Sequence, residues 1–130
     1  MPIVLFACTH NAGRSQMAAA LFNRAANGRA RAISAGTQPA SAVHALVREA
    51  MAEVDVDLSH AQPQLLTEEL ARQADLLITM GCGESCPVVP GLAREDWPIA
   101  DPKGQSLDRV RAIRDEIGRR VDDLLDRQAL

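Results

Sequence analysis

A short apolar run, Ile3 to Ala7, is followed at once by a polar loop and then by a helical segment. A continuous apolar run of this length is typical of a strand buried on both faces of a parallel sheet. The next helix is predicted from Ser15 to about Ala26, and Asn27-Gly28 supplies its C-terminal stop. Since Ala30 to Ala35 is predicted as a second strand, the N-terminal part of the chain forms a β-α-β unit.

The rest of the chain continues this alternation. Six apolar residues repeat with helical spacing and predict a second helix: Val43, Leu46, Val47, Ala50, Met51 and Val54. We also predict a short helix from Thr67 to Arg72, a strand from Leu76 to Met80, a short edge strand within Arg94 to Ile99, and an amphipathic helix from Leu107 to Leu125. Strands that alternate with helices imply a mostly parallel sheet covered on both faces. At 130 residues, we expect one domain over residues 1–130.

Composition excludes several classes of function. The net charge of -3 offers no basic footprint for nucleic acid. No segment reaches membrane-spanning length, and the run at 3–7 is too short for a signal sequence. We therefore expect a cytoplasmic protein that binds neither nucleic acid nor membrane. Its three cysteines, Cys8, Cys82 and Cys86, are odd in number, which in a reducing compartment favours catalysis, redox chemistry or metal binding over structural disulfides.

The loop CTHNAGRS, Cys8 to Ser15, has the residues of an oxyanion site. Backbone N–H groups of such a loop can converge as an anion nest in front of a helix N-terminus, and an arginine fork matches two oxyanion oxygens. The predicted oxyanion-binding residues are Thr9, His10, Asn11, Ala12, Gly13 and Arg14. The dipoles that hold an anion also favour a thiolate, so we predict Cys8 as the nucleophile and Ser15 as a hydrogen-bond donor to its sulfur. Glycine-rich nucleotide motifs are absent, which favours a small anion.

At these residues the sequence resembles the low-molecular-weight tyrosine phosphatase superfamily, whose signature is a Cys-x5-Arg-Ser/Thr loop and a distant Asp-Pro, here Asp101-Pro102. Within it, the chain is most similar to the thiol-linked arsenate reductases. Five segments carry this similarity: CTHNAGRSQMA at 8–18, SAGT at 34–37, DVDLSH at 55–60, CGESCP at 82–87 and DP-G at 101–104. The resemblance implies a three-layer α/β/α fold with a four-stranded parallel sheet in the order 2-1-3-4. It also implies that Asn11 and Ser34 hold the loop in shape.

The same resemblance implies a reductase reaction that serves arsenic detoxification. In it, Cys8 attacks arsenate, Asp101 protonates the departing hydroxyl, and Cys82 attacks Cys8 so that arsenic leaves as arsenite. Cys86 then exchanges with the Cys8–Cys82 disulfide, which leaves a Cys82–Cys86 disulfide. An external thiol reductant reduces that bond; it is thioredoxin or a mycoredoxin- or glutaredoxin-like protein. We expect a monomer with no bound cofactor. We also expect no metal ion, since the glutamate with which some relatives bind potassium is replaced by Ala19 here.

Two alternatives stay open. A phosphatase would use Cys8 and Asp101 to form and hydrolyse a phosphocysteine. However, the chain has no tyrosine and one tryptophan, Trp97, which leaves little to stack against an aryl substrate. A metal- or arsenite-binding module would use the three thiols, with His10 as a further ligand. Against it, Cys-x3-Cys with a lone histidine is a weak zinc signature, and Arg14 would place a positive charge beside the ion.

Overall fold

A computed structural model describes residues 2–81 and 89–128 of the chain. Within these residues a parallel sheet is formed by β1 (Ile3–Cys8), β2 (Arg31–Gly36), β3 (Leu76–Thr79) and β4 (Ala93–Asp96). The strand order is β2-β1-β3-β4. Four helices accompany the sheet in this part of the chain: α1 (Arg14–Ala26), α2 (Ala45–Ala52), α3 (Glu68–Arg72) and α4 (Leu107–Arg127). The predicted α/β fold class and the order 2-1-3-4 are confirmed.

Local chemistry explains where several elements begin and end. Helix α1 ends at Asn27, which adopts the left-handed conformation that stops helices. The hydroxyl of Thr67 accepts from the amide of Leu70 and caps α3 as predicted. The fourth strand predicted within Arg94 to Ile99 is found at Ala93–Asp96. It ends at Asp96, because Pro98 has no amide hydrogen with which to continue the ladder.

The larger part of the core lies on one face of the sheet, under α1, α2 and α4. Phe6 of β1 is at its centre, with its ring centroid 5.9 Å from that of Phe22 and 5.5 Å from that of Trp97. The opposite face carries a smaller apolar cluster that includes Leu5, Leu77 and Ala71 of α3. No helix within the described ranges is long and apolar enough to cross a bilayer.

An ion-pair network joins the end of α2 to α4. Glu53 accepts from Arg111 Nη2 at 2.6 Å and from Arg114 Nη1 at 2.9 Å. Hydrogen bonds from Arg111 are the largest cause that lowers the pKa of Glu53 to about 2. The network therefore fixes the helix that follows the β2 loop against the long C-terminal helix.

We expect Glu53→Gln to lower the free energy of unfolding at pH 7, and this loss to shrink as the pH falls. A carboxyl group with a lowered folded-state pKa stabilises the fold above its unfolded value, here 4.5. That contribution is lost as the pH falls from about 4.5 toward about 2. Urea midpoints of both proteins at pH 7 and at steps down to pH 3 measure the difference. A difference that is the same at every pH would contradict this assignment.

Candidate active site

The candidate site lies at the carboxyl edge of the sheet, where ligands bind in open α/β folds. Cys8 ends β1 and is paired with Gly36, which ends β2. Gly36 has to be glycine, because a Cβ there would lie 2.6 Å from the carbonyl oxygen of Thr9 and 2.9 Å from the amide nitrogen of Asn11. The strand ends therefore approach each other closely, and the loop from Cys8 to Gly13 curls directly over β2.

The carbonyl groups of this loop accept hydrogen bonds from the chain outside it. Four backbone amides after β2 donate to them: Thr37 to Cys8 at 3.3 Å, Gln38 to Thr9 at 2.8 Å, Ala40 to His10 at 2.9 Å and His44 to Ala12 at 3.0 Å. The amides of residues 9–13, by contrast, donate to no backbone carbonyl of residues 2–81 and 89–128. A loop with occupied carbonyls and free N–H groups is the arrangement that an anion nest requires.

Asn11 holds the loop in this shape. It is fully buried and has a φ of 50°, in the left-handed region that asparagine tolerates. Its Nδ2 donates to Ser15 Oγ at 2.7 Å, and its Oδ1 accepts from the Gln64 amide at 2.9 Å. Gln16 Nε2 donates to the Asn11 carbonyl oxygen at 3.1 Å. Hydrogen bonds therefore hold both the side chain and the backbone of Asn11.

The nucleophile candidate, Cys8, is buried at the base of the loop. Its Sγ lies 2.9 Å from Ser15 Oγ, and Ser15 is in the first turn of α1. Asn11 donates to the Ser15 oxygen, and a thiolate can only accept, so the serine hydroxyl is the donor in this pair when Cys8 is ionised. A hydroxyl donor and a helix N-terminus together stabilise a thiolate.

Arg14 is 7% exposed and has incomplete hydrogen bonding. Its Nη1 donates to the Ile99 carbonyl oxygen at 3.3 Å, and its Nη2 lies 3.7 Å from Asp101 Oδ2. Its buried Nε has no hydrogen-bond partner in the described part of the chain. An unpartnered guanidinium N–H beside the loop amides is a donor for an incoming oxyanion.

Gly81 lies against the guanidinium of Arg14 and bounds the site on that side. It has a φ of +89°, and a Cβ there would lie only 2.1 Å from Arg14 Nη1. The chain continues from Gly81 into Cys82. Cys82 and Cys86, both predicted to be catalytic, lie outside the described residues.

Asp101 follows β4 and is the general-acid candidate. Its side chain is 44% exposed, and its Oδ1 accepts from the Lys103 amide at 3.0 Å. The adjacent Pro102 is buried, and its Cγ lies 2.6 Å from the position that a Gly13 Cβ would take. The acid is thus on a loop that packs directly on the N-terminus of α1.

The structure brings most of the predicted site residues together. Thr9, His10, Ala12 and Gly13 form the loop around Asn11, with Arg14 and Asp101 at its mouth. Ser34 differs from the predicted loop support. Its carbonyl oxygen accepts from Gln64 Nε2 at 2.8 Å, and its hydroxyl forms no hydrogen bond with residues 8–15. Gln16 and Gln64 support the loop instead, because both reach Asn11 directly.

His44 is a further residue beside the loop that sequence reasoning did not place there. It is the N-cap of α2. Its amide nevertheless donates to the loop at Ala12, and its ring lies near Gly13. The sequence feature that could have indicated this is the position of His44 shortly after the second strand. The carboxyl end of that strand lies beside the carboxyl end of β1.

Comparisons with known proteins identify the family. The model of the low molecular weight phosphotyrosine protein phosphatase family matches residues 3–130. The chain belongs to this family. Its loop from Cys8 to Arg14 is therefore the Cys-x5-Arg signature of a low molecular weight phosphatase family member, and the resemblance seen in the sequence is confirmed.

Three relatives indicate the range of activities in this family. A putative arsenate reductase of Halobacterium salinarum is 38% identical over 93% of this chain and 89% of its own length. The thioredoxin-dependent arsenate reductase of Corynebacterium glutamicum has a TM-score of 0.84 and 42% identity over 97% of this chain. This chain spans only 61% of that protein's length. The YwlE arginine phosphatase of Geobacillus stearothermophilus has a TM-score of 0.87 and 27% identity, with 99% of this chain and 94% of that chain covered.

Proposed function

We propose that this family member reduces arsenate to arsenite and that an external thiol protein, thioredoxin or a glutaredoxin- or mycoredoxin-like protein, restores it. One observation carries the proposal. An oxyanion loop with a buried nucleophile, Cys8, is combined in one chain with two later cysteines, Cys82 and Cys86. A phosphatase needs only the first thiol, whereas a two-electron reduction needs a second thiol to complete it.

In the first step, the Cys8 thiolate attacks the arsenic of bound arsenate and an S–As bond forms. The loop amides and Arg14 hold the arsenate oxygens and stabilise the charge that develops on them. One As–O bond breaks, and the departing hydroxide leaves as water with a proton from Asp101. The 3.7 Å between Asp101 Oδ2 and Arg14 Nη2 supports this role, because it places the acid beside the residue that binds the oxyanion.

In the second step, the Cys82 thiolate attacks the Cys8 sulfur. A Cys8–Cys82 disulfide forms, the S–As bond breaks, and its electron pair stays on arsenic, which leaves as arsenite. The Cys86 thiolate then attacks Cys82 and releases Cys8 as a thiolate, and an external dithiol reduces the Cys82–Cys86 disulfide with two electrons. The contact between Gly81 and Arg14 supports Cys82 as the second thiol, since the chain enters the cysteine segment beside the loop.

The test follows NADPH oxidation on addition of arsenate in the presence of thioredoxin and thioredoxin reductase. We expect Cys82→Ser and Cys86→Ser each to abolish multiple turnover, because neither can complete the disulfide transfer. Cys86→Ser still releases one arsenite per chain and stops at the Cys8–Cys82 disulfide. Ser85→Ala, in the same segment, is the matched control and should keep turnover. Wild-type rates in both cysteine variants would overturn the proposal.

The second candidate function is a phosphatase that acts through a Cys8 phosphocysteine. The structural likeness to an arginine phosphatase favours it, and the loop and Asp101 serve phosphate as well as arsenate. Hydrolysis of p-nitrophenyl phosphate and of phosphoarginine separates the two functions. If the protein is a phosphatase, a variant in which Cys82 and Cys86 are both replaced still hydrolyses at least one of these two substrates. The wild type then shows no arsenate-dependent NADPH oxidation.

A further inference from the structure

Gln16 carries a buried amide in the first turn of α1, directed at the reactive loop. Its Nε2 lies 3.1 Å from the carbonyl oxygen of Asn11, 3.2 Å from Asn11 Oδ1 and 3.2 Å from the carbonyl oxygen of Gln62. Two of these three acceptors are backbone carbonyls, which can only accept, so the nitrogen of Gln16 and not its oxygen faces the loop. A single side chain thus joins α1 to the loop and to the segment that precedes α3.

These contacts decide which end of the Asn11 carboxamide faces Ser15. Asn11 Oδ1 accepts from Gln16 and also from the backbone amide of Gln64 at 2.9 Å. Because two donors hold this oxygen, Asn11 presents its Nδ2 to Ser15 Oγ, at 2.7 Å. Nδ2 occupies a lone pair of the hydroxyl oxygen and leaves the Ser15 proton for Cys8 Sγ, at 2.9 Å. In the opposite orientation, Asn11 Oδ1 would compete with the sulfur for that proton.

Other groups hold the rest of the oxyanion loop. Its carbonyl oxygens accept from backbone amides after β2, and Gln16 takes no part in these bonds; the donors are Thr37, Gln38, Ala40 and His44. Arg14 is held by the Ile99 carbonyl oxygen and lies beside Asp101. Loss of the Gln16 amide therefore removes a restraint on Asn11 and leaves these other contacts of the loop in place.

We propose that Gln16 is a positioning residue for the nucleophile: it holds the Asn11 carboxamide so that the Ser15 hydroxyl donates to Cys8 and not to Asn11. The inference rests on the proposed function, because the Cys8 thiolate makes the first attack on arsenate. Gln16 acts on the sulfur only through Asn11 and Ser15. Its effect is therefore on the rate of attack, while the binding of the oxyanion is preserved.

The test compares wild type with Gln16→Met, which keeps the length of the side chain and removes the donor. Two rates are measured: alkylation of Cys8 by iodoacetamide, read by mass spectrometry of the Cys8 peptide, and arsenite release in a single turnover. Both are expected to fall by about three- to tenfold, because a hydrogen bond to a charged group is strong and its direction is no longer fixed. The affinity for phosphate, measured by calorimetry, should stay within about twofold, since the loop carbonyls remain bonded. An equal loss of phosphate affinity overturns the proposal, because Gln16 would then shape the whole anion nest.

A double-mutant cycle decides whether the effect passes through Ser15. In a Ser15→Ala background no serine proton remains to be directed, so Gln16→Met is expected to change the alkylation rate by less than about twofold. A fall of the same size in both backgrounds overturns the proposal. The matched control for lost stability is Thr67→Ala, which loses the cap of α3 and should be alkylated at the wild-type rate.

A further measurement uses the wild type alone, so it does not depend on the folding of a variant. Exchange of the Gln16 Nε2 hydrogens with solvent is followed by NMR and is expected to be at least about tenfold slower than that of Gln105, an exposed glutamine. Equal exchange rates overturn the hydrogen bonds on which the inference depends. If the wild type reduces no arsenate, the proposed function fails, and the alkylation rates still decide whether Gln16 acts on Cys8.

Discussion

Replacement of Cys8 with serine is expected to abolish arsenate turnover and leave the fold intact. Serine is close in size, and the sulfur makes one hydrogen bond in the described structure, to Ser15 Oγ at 2.9 Å, which an oxygen can also make. The hydroxyl is a far weaker nucleophile than a thiolate and cannot form a disulfide. Because the reduction sends two electrons through this atom, not even a first turnover is expected.

Two measurements check this expectation. Arsenate-dependent NADPH oxidation and single-turnover arsenite release should both fall to the background rate. Phosphate, a non-reducible oxyanion of the same shape, should still raise the melting temperature of Cys8→Ser, because the loop amides and Arg14 remain. The matched control is Ser15→Ala, which keeps the thiol and should retain measurable turnover. Arsenite release by Cys8→Ser would show that another thiol makes the first attack.

Replacement of Gly81 with alanine is expected to lower kcat/KM for arsenate by about 10²- to 10³-fold, the loss typical of a displaced oxyanion donor. The added Cβ would lie 2.1 Å from Arg14 Nη1, so one of the two groups has to move. Arg14 is 7% exposed and is held at Ile99 and Asp101, so its displacement disturbs the acid as well as the oxyanion. Phosphate should also bind more weakly.

The control for this change is Gly28→Ala. Gly28 has a φ of +86°, nearly that of Gly81, but an added Cβ there meets nothing within 4 Å. Both variants therefore carry a similar backbone strain of about 1–2 kcal/mol, and only Gly81→Ala collides with Arg14. Steady-state kinetics and thermal melting of both proteins separate the two effects. Equal kcat/KM values in the two variants would show that the contact with Arg14 has no role in catalysis.

Sequence reasoning reached the reactive loop because its information is local. A buried strand, Cys8, five residues, Arg14 and a helix follow one another in the chain, and their spacing alone predicts an oxyanion nest. The order of the sheet was available only through the family resemblance, since strand pairing depends on contacts between distant segments. The resemblance implied loop support by Ser34, whereas its hydroxyl makes no hydrogen bond with residues 8–15. A strand-end serine and a loop-supporting serine look the same in sequence.

By itself, the sequence determined the helix-strand alternation and the presence of three thiols, and it predicted the nucleophile and the oxyanion-binding arginine, because residue type and spacing carry that information. Only the tertiary structure decided what surrounds them. It placed Asn11 between Ser15 and Gln64, Gly81 against Arg14, and both His44 and Pro102 beside Gly13. These contacts join segments dozens of residues apart, and they arise because parallel strands bring their carboxyl ends to one edge.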